Sequence, residues 1–222
     1  MNQQPSLLSV QVWGDMACFT RPEMKTERVS YPMMTPPAAR GVLEAIFWKP
    51  EVTWRVARIA VLRPIRWFNL RRNEVSSMAP LTEIRRAVAA GGDWRFDAET
   101  DRDQRATLGL RDVSYRIDAA LVPRSGTPGD HAKYRDQFRR RVERGQCYTQ
   151  PFLGCREFTA SFGPVGPDTA PIDWNDHLGL MFWGFDYSSR PLRSGWFPAR
   201  VEHGVLSVPD HPLPDDQQPS GM

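Results

Sequence analysis

The chain has 222 residues, of which 41% are apolar and 25% charged. These values are typical of globular proteins and exclude a mostly disordered chain. Its apolar runs are far shorter than the ~18 residues of a membrane-spanning helix, and its first residues lack the basic and apolar regions of a signal peptide. We therefore expect a cytoplasmic protein without a membrane partner. The cysteines Cys18, Cys147 and Cys155 form no C-x-x-C pair, which disfavours both a disulfide framework and a structural zinc site.

Positive charge comes almost entirely from arginine, with 26 arginines against three lysines. Arginine binds phosphate with paired hydrogen bonds and stacks on bases, although a GC-rich genome also replaces lysine by arginine. The net charge of +3 is uneven, because residues 163–222 carry −5 and residues 1–162 carry +8. A basic body with an acidic end predicts a polyanion-binding region in the first part of the chain.

The predicted elements of residues 1–162 follow the order strand, helix, strand, loop, strand, helix, strand. Alternating patterns rich in β-branched and aromatic residues predict strands at 7–13, 53–62, 110–122 and 156–162. The first helix is bracketed by Pro36-Pro37 and Pro50. The second begins with Asp130 as its cap and ends before Gly145, and it buries one face, which consists of Tyr134, Phe138 and Val142.

This order predicts an α+β protein with a ferredoxin-like (RRM-type, βαββαβ) domain over residues 1–162. The charged, weakly periodic stretch at about 68–106 predicts an inserted hairpin or loop. Residues 163–208 are predicted to form a small C-terminal antiparallel β appendix, with a hairpin turn at His203-Gly204. Residues 209–222 have little to bury and are predicted to be a disordered tail.

Several chemical signatures are absent from the sequence, including the phosphate-binding glycine loops, H-E-x-x-H and G-x-S-x-G. The sequence does contain one candidate metal site, a group of oxygen and nitrogen ligands of the kind that a two-metal nuclease needs. Its members are Asp168, Asp173, Asp176 and His177. Aspartates interleaved with proline and glycine more often cap turns, which is the preferred interpretation. We therefore expect neither a metal site nor a cofactor.

The second predicted helix carries the strongest cluster of functional groups. Its first turn holds His131, Lys133 and Tyr134, where free backbone N–H groups favour phosphate. An imidazole, an ammonium and a phenol are the groups needed for metal-free RNA cleavage, in which the 2′-hydroxyl attacks the adjacent phosphorus. Further along the same helix, a basic stripe predicts nucleic-acid binding, with Arg139, Arg140 and Arg144 as the candidate ligands. The alternative interpretation is that the stripe is only a solvated helix face.

Three separated stretches, taken in order, resemble one known family. They are residues 41–50 (GVLEAIFWKP), Arg71-Arg72-Asn73-Glu74, and residues 133–157 with Gly145-Gln146-Cys147 and LGCRE at 153–157. The family is the CRISPR-associated RAMP proteins of the fifth Cas family, subtype I-C (Dvulg), and the resemblance covers most of residues 6–208. It implies a RAMP-type ferredoxin-like domain with a small β domain. It also implies an endoribonuclease that cuts precursor CRISPR RNA within the repeat without a metal ion and stays on the 5′ handle in a Cascade-type complex.

The family's catalytic set is a tyrosine in the first helix and a Lys-His pair at the start of the second. Lys133 matches the lysine, whereas Phe47 stands at the tyrosine position and Tyr134 at the histidine position. His131, about one turn earlier, is a candidate replacement for the lost imidazole.

The expected partners are CRISPR repeat RNA or crRNA and the other type I-C Cascade subunits, with double-stranded DNA as an open alternative. Arg71 and Arg72 are further candidate nucleic-acid ligands. Two RNA-related functions remain, an endoribonuclease and an RNA-binding subunit without catalysis. A third alternative is a ferredoxin-like scaffold that has no role with RNA.

Overall fold

The computed structural model describes residues 6–24, 27–95, 97, 99–124, 132–167, 169–187, 189–190 and 192–218. These residues form an α+β fold with three α-helices and a mostly antiparallel sheet. The strands are β1 Leu8–Ala17, β2 Arg28–Val29, β3 Val52–Val61, β4 Trp67–Val75, β5 Arg102–Pro123, β6 Ser161–Gly163, β7 Asp176–Asp186, β8 Arg193–Glu202 and β9 Val205–Ser207. The helices are α1 Pro36–Ile46, α2 Leu81–Ala89 and α3 Ala132–Glu143. No helix in the described part of the chain combines the length and apolar character that crossing a bilayer requires.

Strand β5 is the centre of the sheet. Its second half pairs antiparallel with β1 on one side and β3 on the other, and its first half pairs with β4 and β2. The continuous path through the sheet runs β6-β1-β5-β3-β9-β8-β7. Strands distant in sequence therefore lie side by side, and the C-terminal strands extend the same sheet through the pairing of β9 with β3.

Helices α1 and α3 contact each other, and they contact β3 and β1 respectively. Their apolar residues share one core with alternate residues of β1, β3 and β5. The predicted buried face of α3 is confirmed, since Tyr134, Phe138 and Val142 are its buried residues. Phe138 packs on Trp54 of β3 at 4.7 Å between ring centroids. Burying a side chain of this size contributes roughly 2–3 kcal/mol, which fixes α3 against the sheet.

The ends of these helices follow their local sequence signals. Pro36 opens α1, and the helix ends at Ile46 because Phe47 has an extended backbone. Gly145, just past α3, has φ of +61°, and Gln146 N–H donates to the Arg141 carbonyl at 2.9 Å. This is the glycine-terminated helix end that the sequence predicted. The predicted cap, Asp130, lies outside the described residues.

The predicted hairpin turn in the C-terminal part is also present. His203 and Gly204 both have positive φ, at 47° and 73°, and join β8 to β9 with Glu202 opposite Val205. Two consecutive positive φ values are the conformation that a tight two-residue hairpin needs. The division into a first domain, an appendix and a tail stays a prediction.

Three predicted strands differ from the observed ones. The strand predicted at 7–13 continues as β1 to Ala17. The strand predicted at 156–162 is reduced to β6, because the chain before it turns back on itself: Leu153 N–H donates to the Phe158 carbonyl at 2.7 Å. The strand predicted at 110–122 begins earlier, at Arg102, since its polar first half pairs in register with β4. Backbone pairing, which needs no apolar alternation, therefore extends β5 into the predicted hairpin or loop region.

Candidate functional site

The first turn of α3 places Lys133 and Tyr134 side by side but in different environments. Lys133 is exposed, whereas the Tyr134 side chain turns inward and is 8% exposed. Their adjacency follows from helix geometry, because neighbouring residues lie about 100° apart around the axis, so one can face solvent while the other faces the core. The third predicted residue of this turn, His131, lies outside the described residues.

Phe47 meets Tyr134 across the contact between α1 and α3. The two ring centroids are 6.1 Å apart with planes inclined at 46°. Phe47 is fully buried, and the residue is held at both backbone ends: its N–H donates to the Leu43 carbonyl, and its carbonyl accepts from Trp54 Nε1 at 2.9 Å. The two positions at which the sequence resemblance implies a departure from a catalytic pattern therefore form one aromatic pair.

Lys133 completes this cluster of three predicted residues. Its Nζ lies 4.8 Å from the centroid of the Tyr134 ring, which is within the range of a cation–π contact. Among the described residues, no carboxylate forms an ion pair with Lys133. An exposed ammonium without a carboxylate partner is available to an incoming phosphate, and the ring below it limits where the ammonium can lie.

Arg141 is a residue of this site that the sequence interpretation missed. Its Nη1 donates to the Ile46 carbonyl at the end of α1 at 2.7 Å, and its guanidinium lies 5.6 Å from the Phe47 ring centroid. The contact neutralises part of the negative end of the α1 dipole and holds Phe47 in place. The available signal was spacing: Arg141 is seven residues after Tyr134, two turns along the same helix face.

The predicted basic stripe lies on the exposed side of α3. Arg139 pairs with Asp136 at 2.9 Å, one turn earlier. Arg140 and Arg144 are exposed and have no side-chain ion pair among the described residues. The stripe therefore offers two uncompensated guanidinium groups and one that already has a carboxylate partner.

The two predicted nucleic-acid ligands on β4, Arg71 and Arg72, also differ in whether a carboxylate already pairs with them. The side chain of Arg71 is exposed and has no ion-pair partner among the described residues, whereas the side chain of Arg72 is 24% exposed and is paired with Glu74 and Glu157. Arg28 contacts both carboxylates as well. Burial opposes ionisation of Glu157, but its hydrogen bonds and these two arginines outweigh that effect and lower its pKa. Arg72 is thus part of a structural ion-pair network, and its role in nucleic-acid binding stays a prediction.

Comparison with known proteins identifies the relatives of this chain. The sequence pattern of the family described as CRISPR-associated protein (Cas_Cas5), in its Cas5d form, matches residues 7–209. The chain is 39% identical over 216 residues to "CRISPR pre-crRNA endoribonuclease Cas5d" of Mannheimia succiniciproducens, covering 91% of this chain and 94% of that protein. It is 40% identical over 220 residues to the protein of the same name from Thermus thermophilus, covering 91% of each.

A solved structure described as a CRISPR-associated protein shares the fold, with a TM-score of 0.67, 22% identity and 92% of each chain covered. The fold agreement extends over nearly the whole chain, as does the family pattern. The family resemblance inferred from the three sequence stretches is confirmed, and the chain belongs to the Cas5d family of CRISPR-associated proteins.

Proposed function

We propose that this protein is a metal-independent endoribonuclease that cuts precursor CRISPR RNA within the repeat by attack of the 2′-hydroxyl. The observation that carries the proposal is the clustering of Lys133, Tyr134 and Phe47, the three residues that the sequence resemblance matched to the family's catalytic set. The names of the two relatives, which describe them as pre-crRNA endoribonucleases, support it.

In the proposed reaction the 2′-oxygen bonds to the neighbouring phosphorus and the bond from phosphorus to the 5′-oxygen breaks. The 2′-hydroxyl proton goes to a general base, and the departing 5′-oxygen receives a proton from a general acid. Tyr134 and His131 are the proposed proton-transfer groups. Lys133 neutralises the charge that accumulates on the phosphoryl oxygens in the transition state. The product then carries a 2′,3′-cyclic phosphate.

Phe47 transfers no proton in this scheme, because it has no ionisable group. We propose that it acts as a positioning residue, whose ring supports Tyr134 and is itself held by Arg141. A buried ring with fixed backbone hydrogen bonds limits the orientations open to the phenol. Such limits matter, because displacements of about 1 Å in an active site can cost about 10²-fold in rate.

We further propose that the protein keeps the 5′ handle of its product and serves as a subunit of a type I-C Cascade complex in the cytoplasm. The exposed arginines of α3 and Arg71 supply the phosphate contacts, and the same contacts would bind double-stranded DNA without sequence preference. A RAMP-type ferredoxin-like domain is the proposed scaffold. It is supported by the neighbouring order β6-β1-β5-β3 and by the contacts of α1 and α3 with that sheet.

The alternative, a handle-binding subunit without catalysis, is favoured by one observation, the missing hydroxyl at Phe47. The deciding experiment incubates the purified protein with its cognate repeat RNA in excess EDTA, beside a substrate with a single 2′-deoxy nucleotide at the cut site. We expect cleavage of the first RNA and binding without cleavage of the second. A requirement for Mg²⁺, or cutting of the deoxy substrate, would overturn the proposed mechanism, and binding without cleavage of either RNA would establish the alternative.

A further inference from the structure

Two cysteines that are 137 positions apart in sequence meet beside the end of β1. Cys18 directly follows β1 and is fully buried, whereas Cys155 lies in the loop before β6 and is partly exposed. The Thr20 hydroxyl lies 3.7 Å from the Cys18 sulfur and 3.9 Å from the Cys155 sulfur. The Cys155 sulfur also lies 3.6 Å from the Cys18 carbonyl oxygen. The two thiols therefore share one small polar site.

The backbone holds this contact in place. Cys18 N–H donates to the Leu153 carbonyl at 3.0 Å, which ties the end of β1 to the loop two residues before Cys155. Gly154, between them, has φ of +85°, and a Cβ at this position would stand 2.0 Å from the Cys18 carbonyl oxygen. Only glycine permits such a close approach at this φ. The juxtaposition is a built feature of the loop and does not depend on side-chain rotamers alone.

The two thiols differ in acidity. The hydrogen bond between the two side chains lowers the pKa of Cys155, an effect that burial and Glu157 oppose and that Thr20 and Arg28 assist. The same hydrogen bond, together with burial, raises the pKa of Cys18. The partly exposed sulfur is thus favoured as a thiolate and the buried sulfur as a thiol. Thiolate character and access are the two properties that make a cysteine reactive toward oxidants.

We propose that Cys155 and Cys18 are an oxidation site at which a peroxide converts the two thiols into an intramolecular disulfide. The Cys155 thiolate attacks one peroxide oxygen and the O–O bond breaks, which gives a sulfenic acid and hydroxide; the hydroxide takes a proton from solvent and becomes water. The Cys18 sulfur then attacks the Cys155 sulfur; the S–S bond forms, the S–O bond breaks, and the hydroxyl leaves as water with the Cys18 proton. Two electrons pass from the thiols to the peroxide.

This site is separate from the proposed cleavage cluster, because none of Lys133, Tyr134 and Phe47 takes part in it. Its test therefore needs no RNA and no cleavage assay. The third cysteine, Cys147, is exposed and has no sulfur partner among the described residues, so it provides an internal comparison.

The experiment uses the full chain carrying Cys147→Ser, treated with hydrogen peroxide, then denatured and alkylated with N-ethylmaleimide. We expect Cys18 and Cys155 to lose alkylation together, with the mass of the protein lowered by two hydrogen atoms and one cross-linked peptide pair that dithiothreitol separates. Persistent alkylation of both cysteines under conditions that oxidise Cys147 in the unsubstituted protein would overturn the proposal. Oxygen addition at Cys155 with Cys18 still alkylated would also overturn it.

Two further variants separate the roles of the two thiols. In Cys147→Ser with Cys18→Ser, which keeps a hydrogen-bonding side chain beside Cys155, we expect Cys155 to stop at the sulfenic acid, which dimedone traps. In Cys147→Ser with Cys155→Ser, we expect Cys18 to remain reduced because it is buried and protonated. Oxidation of Cys18 in the latter variant at the rate seen for Cys155 would contradict the assignment of Cys155 as the reacting thiolate.

Discussion

Replacing Lys133 with alanine tests whether the exposed ammonium at the start of α3 stabilises the transition state. Its Nζ is placed over the Tyr134 ring and has no carboxylate partner among the described residues, so its charge is available to the scissile phosphate. Removing one preorganised cation from a site of developing charge costs about 3 kcal/mol, which corresponds to a rate loss of about 10²-fold. The ground-state phosphodiester carries one negative charge and the transition state carries more, so the rate should fall much more than the affinity.

The assay measures single-turnover cleavage of repeat RNA at saturating protein, and it measures affinity separately with the uncleavable 2′-deoxy RNA. Lys133→Arg keeps the charge and should retain more activity than Lys133→Ala. Arg200→Ala is the matched control, because it removes an exposed cation from β8, where Arg200 contacts His177 and Glu202, and leaves α3 unchanged. Its cleavage rate should equal that of the unmodified protein.

Equal losses in rate and affinity in Lys133→Ala would refute this reasoning and make Lys133 a docking residue. An unchanged rate would remove Lys133 from the reaction altogether. A salt titration adds an independent reading, because a single lost phosphate contact reduces the log–log salt slope by only about 0.7 for single-stranded RNA.

Three further predictions concern the helix surface, the ring pair and the ion-pair network. The first replaces the three arginines of the stripe, Arg139, Arg140 and Arg144, with alanine. The slope of log affinity against log salt concentration should become shallower by about two units for both RNA and duplex DNA. Unchanged slopes would show that this side of α3 is only a solvated face. Phe47→Tyr should raise the cleavage rate by returning a phenol to the contact with Tyr134, and an unchanged rate would mean that proton transfer depends on other groups. Because the folded pKa of Glu157 lies below its ordinary value near 4.3, its stabilisation is complete above that pH and lost as the pH falls below it. Urea unfolding between pH 7 and about 3 should therefore show a smaller acid loss in Glu157→Gln than in the unmodified protein; equal losses would contradict this.

Elements with strong local signals could be predicted from sequence. Pro36 and Pro37 suit the first turn of α1 because their fixed φ and missing N–H cost nothing there. Gly145 and the His203-Gly204 turn adopt positive φ, which these residue types allow. In each case the conformational preference of one or two residues decides the structure, so distant parts of the chain are not needed to predict it.

The elements that were predicted with wrong bounds depend on distant partners. The first half of β5 is polar and lacks an apolar alternation, and it is a strand because β4 pairs with it over nine residue pairs, from Trp67↔Leu110 to Val75↔Arg102. Residues 156–160 have strand-like composition, yet the loop that contains them follows the end of β1, to which it is bonded through Cys18 and Leu153. Sequence spacing gives no information on such contacts, and for the same reason the cysteine pair could not be predicted.

The candidate site depends both on local sequence and on contacts between distant parts of the chain. Lys133 and Tyr134 could be assigned to one helical turn from their adjacency, but the contact of Tyr134 with Phe47 requires α1 and α3 to pack against each other. Because of this contact, the two implied departures from the family pattern should be interpreted together. The family resemblance implies a phenol at the position of Phe47 and an imidazole at that of Tyr134, whereas this chain has a phenyl ring and a phenol there. On this match, the phenol of Tyr134 lies one ring contact away from the implied tyrosine position, with 6.1 Å between the two centroids, and it stands beside Lys133 at the start of α3. The implied imidazole is absent from both positions, and the proton-transfer chemistry proposed for this protein therefore assigns its role to Tyr134 and His131 together.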